Sequence, residues 1–97
     1  MYVAAMRIEL RIRDAQSLKE KRNIVKAVIS HLASTFGAAV AEVDDLDKWQ
    51  KTTLGVAVVS NQAGHIDRML HSVRRAIDER PDVELLRTSL SYLEEPE

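Results

Sequence analysis

The chain contains no cysteine, which excludes disulfides, iron–sulfur clusters and thiolate-bound metal. Aromatic residues are scarce: Tyr2, Phe36, Trp49 and Tyr92 are all there are, so the core has to be aliphatic. Long apolar runs are missing too. Runs such as Val56-Ala57-Val58-Val59 fall far short of the roughly 20 residues that a membrane-spanning helix needs. The N-terminus has no basic segment leading into an apolar stretch, so no secretory signal is visible and a cytoplasmic location is expected. Nor is there a surplus of one charge. Fourteen Lys/Arg against fifteen Asp/Glu leave −1, too little for a long-range pull toward nucleic acid. The two signs are unevenly spread, with +4 on residues 1–37 and −5 on residues 38–97. Such asymmetry fits a polyanion-binding half, or basic and acidic elements that are neighbours in the fold.

What is present reads as one domain over residues 1–97, with no linker, repeat or low-complexity stretch. The alternation Met6-Arg7-Ile8-Glu9-Leu10-Arg11-Ile12-Arg13 predicts a first strand over about 2–13. Ser17 and Glu20 form an S-x-x-E box that starts a helix from Leu18 to Phe36, which Gly37 stops. Leu18, Val25, Val28, Ile29, Leu32 and Phe36 make its apolar stripe. A second strand is expected over about 38–43, then the acidic connection Asp44-Asp45-Leu46-Asp47, then a third strand from Thr52 to Ser60. Asn61 is placed to cap a second helix whose buried stripe is Ile66, Met69, Leu70, Val73, Ala76 and Ile77. Pro81-Asp82 ends it. A fourth strand over Val83–Leu93 precedes an acidic tail at 94–97.

The order is βαββαβ. Two right-handed crossovers around a central hairpin give an α+β, ferredoxin-like sandwich, a four-stranded antiparallel sheet with both helices on one face. Strands one and three are expected at the centre. If Ile8, Leu10, Leu54, Val56 and Leu90 point at the helices, period two fixes the open face. It would carry Arg7, Glu9, Arg11 and Arg13, then Glu42, then Lys51, Gly55, Ala57 and Val59, then Arg87, Ser89 and Ser91.

On the first helix Lys19, Arg22 and Lys26 form a basic stripe beside the apolar one. Lys21 falls among the apolar positions, so its stem is expected on the core edge with its ammonium reaching out. The segment Ser17-Leu18-Lys19-Glu20-Lys21-Arg22 reads either as an anion site at a helix N-terminus or as a solvated charged face behind a capping box. Trp49 reads as an aromatic anchor for a partner or as a lid over the hairpin end, with Gln50 pairing nearby backbone. Asp44, Asp45 and Asp47 lack the glycine and distal glutamate of a calcium loop and read as a solvated turn. His31, His65 and His71 lie on separate elements without ligand spacing. No metal, cofactor or catalytic residue is expected. The strand positions on which RNA-recognition domains stack bases hold Arg, Glu, Gly, Ala and Val here, which excludes that mode. The loop Arg13-Asp14-Ala15-Gln16 has no glycine to cradle a phosphate.

Four blocks, Ser17–Arg22, Ala41-Glu42-Val43, Asp47 with Trp49-Gln50, and Leu54–Ser60, resemble the YlxP-like family of small bacterial proteins of unknown function. The resemblance covers about residues 2–92. It implies a ferredoxin-like fold. It also implies a cytoplasmic accessory of ribosome or RNA metabolism, because the family's genes often lie beside those for translation initiation and ribosome maturation. The chain departs from the family's pattern in its last strand, where Thr88, Ser89 and Ser91 replace basic residues.

Two functional expectations result. One is a non-enzymatic module bound to ribosomal RNA or the ribosome-maturation machinery. Lys19, Lys21, Arg22 and Lys26 would contact phosphates, Arg7, Arg11 and Arg13 would form a second patch, and Trp49 would stack. The other is a homodimer without nucleic acid. There Gly55, Ala57 and Val59 meet a partner sheet, Glu9 and Glu42 pair with Arg7 and Arg11 across a two-fold axis, and Trp49 and Gln50 lie at the interface.

Overall fold

The computed structural model describes residues 1–94, and of Glu94 only the backbone. Ala4, Met6, Ile8, Leu10 and Ile12 alternate along β1 (Tyr2–Ile12), and all five are buried. Helix α1 (Leu18–Phe36) begins at Ser17, whose extended backbone lets its Oγ accept the Glu20 N–H at 3.1 Å. The Glu20 carboxylate reaches back one residue beyond a standard box and accepts the Gln16 N–H at 2.6 Å. Gly37 closes the helix at φ 63°, where its N–H bonds to the Ala33 carbonyl. This left-handed position costs glycine nothing.

Strands β2 (Ala39–Asp44) and β3 (Lys51–Ser60) form the central hairpin. Helix α2 (Ala63–Asp78) and strand β4 (Val83–Glu94) complete the chain. The start of α2 differs from expectation. Gln62 is the N-cap residue and its side chain makes no capping bond; Ser60 Oγ accepts the Gln62 N–H at 3.1 Å instead of Asn61 acting as the cap. The acidic tail expected at 94–97 is shortened, because Glu94 continues β4; residues 95–97 lie outside the described residues.

The sheet order is β2-β3-β1-β4 with every pair antiparallel, the ferredoxin-like arrangement with β1 and β3 central. The stripes Val25, Val28, Leu32 and Ile66, Leu70, Val73, Ile77 bury themselves against the inward row of the sheet. Burying aliphatic side chains of this size contributes about 1.5–3 kcal/mol each. On the other face Val3, Ala5, Arg7, Glu9 and Arg11 of β1 stand opposite Val59, Ala57, Gly55, Thr53 and Lys51 of β3. Ser89 and Arg87 of β4 flank Arg7 and Glu9.

Two positions differ from expectation, one in exposure and one in the face it occupies. Leu90 pairs with Met6 and so lies on the helix side, but a groove between α2 and β4 leaves it 46% exposed. Glu42 pairs with Leu54 and therefore faces the helices rather than the open side. Just beyond it the register slips between Glu42 and Asp44, leaving Val43 as the extra residue of a bulge. Val43 lies over Gly55 so closely that a Cβ there would be 3.1 Å from Val43 Cγ1. Gly55 thus serves this chain's own hairpin. We expect Gly55→Val to cost about 1–3 kcal/mol by overpacking, measured by urea unfolding, and the loss to shrink when Val43→Ala is added. An undiminished loss in the double variant would place the strain elsewhere.

Candidate functional site

The charged start of α1 meets the β2–β3 turn, and one buried side chain joins them. Lys21 is 0% exposed. Its ammonium donates to Glu42 Oε2 at 2.7 Å, to the Asp45 carbonyl at 2.8 Å and to the Leu46 carbonyl at 3.2 Å. An ammonium has three donors, and here all three are used. Thr52 Oγ1 donates to the same Glu42 oxygen at 2.6 Å. The expectation that the Lys21 ammonium reaches solvent is therefore overturned. With Glu42 turned inward, the helix has a buried acceptor for a lysine in its apolar row, and Lys21 is not available to a phosphate.

The turn itself is wound around Asp45, which adopts φ 60°, a conformation Asp tolerates because its short side chain bonds locally. Its carboxylate accepts from Thr53 Oγ1 at 2.7 Å and pairs with Lys48 at 3.1 Å and Lys51 at 3.8 Å. The Thr53 hydroxyl, then the Lys48 ammonium, hold the Asp45 carboxyl below the ordinary carboxylate value. Beside the turn, Gln50 Nε2 donates to the Ala15 carbonyl at 3.1 Å, while the Ile12 N–H bonds the Gln50 carbonyl at 2.9 Å. Gln50 thus ties the β1–α1 loop to the entry of β3. Ser17, Glu20, Lys21, Glu42, Asp45 and Gln50 together latch one end of the molecule.

The remaining site residues separate by partner. On the sheet side, Arg7 pairs with Asp44 at 3.0 Å, Arg13 with Glu84 at 3.6 Å, and Glu9 with Lys51 at 3.4 Å and Arg87 at 3.9 Å. The ion pairs expected across a two-fold axis for Arg7 and Glu9 are made within the chain. Arg11 is exposed and has no ion pair among the described residues. Lys19, Arg22 and Lys26 are likewise exposed and unpaired among the described residues. Trp49 is 54% exposed and adjoins Gln50 at the latched end. Ala57 and Val59 are exposed on the open face, where Ala5, Ala39, Ala41, Gly55 and Ala57 floor a shallow apolar trough with Val43 as its wall.

Sequence reasoning missed Arg68, Arg74 and Arg75 on α2, which are also exposed and unpaired among the described residues. Their signal was the seven-residue spacing of Arg68 and Arg75, which places both on one helical face. No group of three or more His, Asp or Glu that could hold a metal occurs among the described residues. No helix there is long and apolar enough to cross a membrane.

We expect Lys21→Met to destabilise the fold by about 3–5 kcal/mol, because Glu42 and two carbonyls lose a buried partner. Lys21→Met with Glu42→Gln should lose less than the two single changes summed; strict additivity in urea unfolding would refute the coupling. A second expectation concerns pH. The unfolded chain holds a proton on Asp45 more tightly than the folded one. Its stabilisation is therefore complete above the unfolded value of about 4 and fades as pH falls through the lower, folded one. Asp45→Asn, which keeps the left-handed backbone acceptable, should flatten the loss of stability below pH 4. An unchanged acid slope would remove Asp45 from the account.

Residues 3–90 match the family model described as "Protein of unknown function (DUF503)". The chain is also 36% identical over 73 residues to the "Uncharacterized protein YlxP" of Bacillus subtilis (strain 168), a match covering 75% of this chain and 79% of that protein. With nearly the whole latched core inside the matched span, the chain belongs to the DUF503 family of YlxP-like proteins, whose function is unknown.

Proposed function

We propose that the protein is a non-enzymatic, cytoplasmic module that binds the phosphate backbone of structured RNA, with ribosomal RNA as the first candidate. The observation that carries this is the partition of charge between the two layers. Of the basic residues facing the sheet or the turns, Arg7, Arg13, Lys21, Lys48, Lys51, Arg80 and Arg87 have carboxylate partners, and Arg11 is the exception among the described residues. Lys19, Arg22 and Lys26 on α1, with Arg68, Arg74 and Arg75 on α2, have none among the described residues. A near-neutral protein thus keeps most of its uncommitted positive charge on the helix layer. Such side chains can exchange solvent counterions for phosphates without first breaking an internal pair.

The latch refines which residues of the Ser17–Arg22 segment take part. Ser17 and Glu20 cap, Lys21 is consumed, and Lys19 with Arg22 remain to act. Trp49 lies at the same end, where an exposed indole offers a stacking face to an unpaired base. Binding would be directed by shape and charge, since no row of aromatic residues lines the sheet.

The test is fluorescence anisotropy with ribosomal RNA fragments across a salt series. Three phosphate contacts predict a loss of about 20- to 40-fold between 50 and 200 mM salt, from a slope of roughly 0.7–0.9 per contact. Lys19→Glu with Arg22→Glu should abolish binding at the higher salt while leaving the thermal midpoint little changed. Absence of binding at low salt, or affinity unaffected by the double change, would refute the proposal.

A further inference from the structure

Strand β4 is the longest in the sheet and has a neighbour on one side only. Edge strands are ordinarily protected from pairing by lysine, proline, a bulge or a short length. Between Thr88 and Leu93 this edge has none of these. The stretch Thr88-Ser89-Leu90-Ser91-Tyr92-Leu93 has no charge, proline or glycine, and the register shift against β1 falls earlier, opposite Leu10. Leu86, Leu90, Tyr92 and Leu93 are all exposed along it. Tyr92 is held in place at this edge, its hydroxyl donating to Asp67 Oδ1 at 2.8 Å.

We propose that this edge pairs, antiparallel, with the same edge of a second copy about a two-fold axis through Leu90, joining two sheets into one of eight strands. The argument is self-complementarity. A two-fold axis at Leu90 sets Thr88 opposite Tyr92 of the partner subunit, Ser89 opposite Ser91 of the partner subunit, and Leu90 opposite its own equivalent. The segment reads Thr-Ser-Leu-Ser-Tyr, nearly the same in both directions by side-chain type. A foreign strand would have no need of that symmetry. Polar thus meets polar on the open face, and an aromatic meets a β-branched residue on the helix side, both favourable cross-strand pairs. Charge selects the register as well. Arg87 falls opposite Leu93 of the partner subunit, whereas an axis at Arg87 would place two guanidinium groups face to face. The axis at Leu90 also uses the whole straight run from the bulge to the strand's end, enough for about six to eight main-chain hydrogen bonds. Arg74 of α2 lines the groove beside Thr88, Leu90 and Tyr92, so this edge adjoins one of the unpaired cations of the helices.

Because the chain has no cysteine, the axis can be located directly. Residues paired across antiparallel strands have Cα atoms about 4.5–5.5 Å apart, within the span a disulfide bridges. Leu90→Cys should crosslink nearly completely under mild oxidation, and Val59→Cys, a marker on the open face, should not. Light scattering should give a dimer mass for the unaltered protein at high micromolar concentration. Leu90→Lys, which opposes two ammonium groups, should give the monomer mass with an unchanged circular dichroism spectrum. A monomer for the unaltered protein would overturn the proposal. So would crosslinking by Val59→Cys in place of Leu90→Cys. Should Leu90→Lys fail to fold, the crosslinking pair decides alone.

Discussion

A lysine ammonium withdrawn completely from water is tolerable only where every donor finds an acceptor, and Lys21 meets that condition through Glu42, Asp45 and Leu46. The acceptors come from β2 and from the turn after it, so the requirement fixes three things at once. It sets the height of the first turn of α1 above the sheet. It requires Glu42 to point inward at a place where an aliphatic residue would otherwise be expected. It also requires the carbonyls of Asp45 and Leu46 to converge, which suits a turn carrying a left-handed aspartate. Replacing such a pair by apolar groups of equal volume is often neutral for stability. Its role here is therefore best understood as fixing one geometry, with the Thr52 hydroxyl and the Gln50 bridge holding the same end.

This arrangement explains how so charged a segment can serve both structure and binding. Within one helical turn the side chains radiate in different directions. The inward position is committed to the latch and the capping positions to the backbone, while Lys19 and Arg22 stay in solvent. On the sheet the opposite economy holds, because Glu9, Asp44 and Glu84 hold most of the nearby cations. The basic N-terminal half and acidic C-terminal half of the sequence are thus largely interleaved across β1, β2 and β4. Among the described residues, Arg11 apart, it is the helices that keep positive charge no neighbour claims.

The order of elements was legible in the sequence because periods of two and 3.6 are local properties. Ile8, Leu10, Leu54 and Val56 fell where counting put them. Glu42 did not, and the reason is physical. Its face depends on the register of β2 against β3, which is set by an irregular turn and by the bulge at Val43. The burial of Lys21 is hidden from the sequence for the same reason, since it makes sense only once Glu42 is known to face it. Leu90 was assigned to the correct side, but no periodicity reveals that α2 leaves the groove beside β4 uncovered. The unpaired arginines of α2 escaped notice because an ion pair is a fact of tertiary structure. A basic residue looks the same in sequence whether or not a carboxylate waits for it.

The solitary tryptophan has a consequence of a different kind. Trp49 lies outside the aliphatic core, more than half in solvent, beside the latched turn. With more than half of its surface in solvent, its ultraviolet emission is expected to change less on unfolding than that of an indole in the core. The chain therefore carries an intrinsic optical reporter placed to sense whatever approaches the end of the molecule where Lys19 and Arg22 emerge.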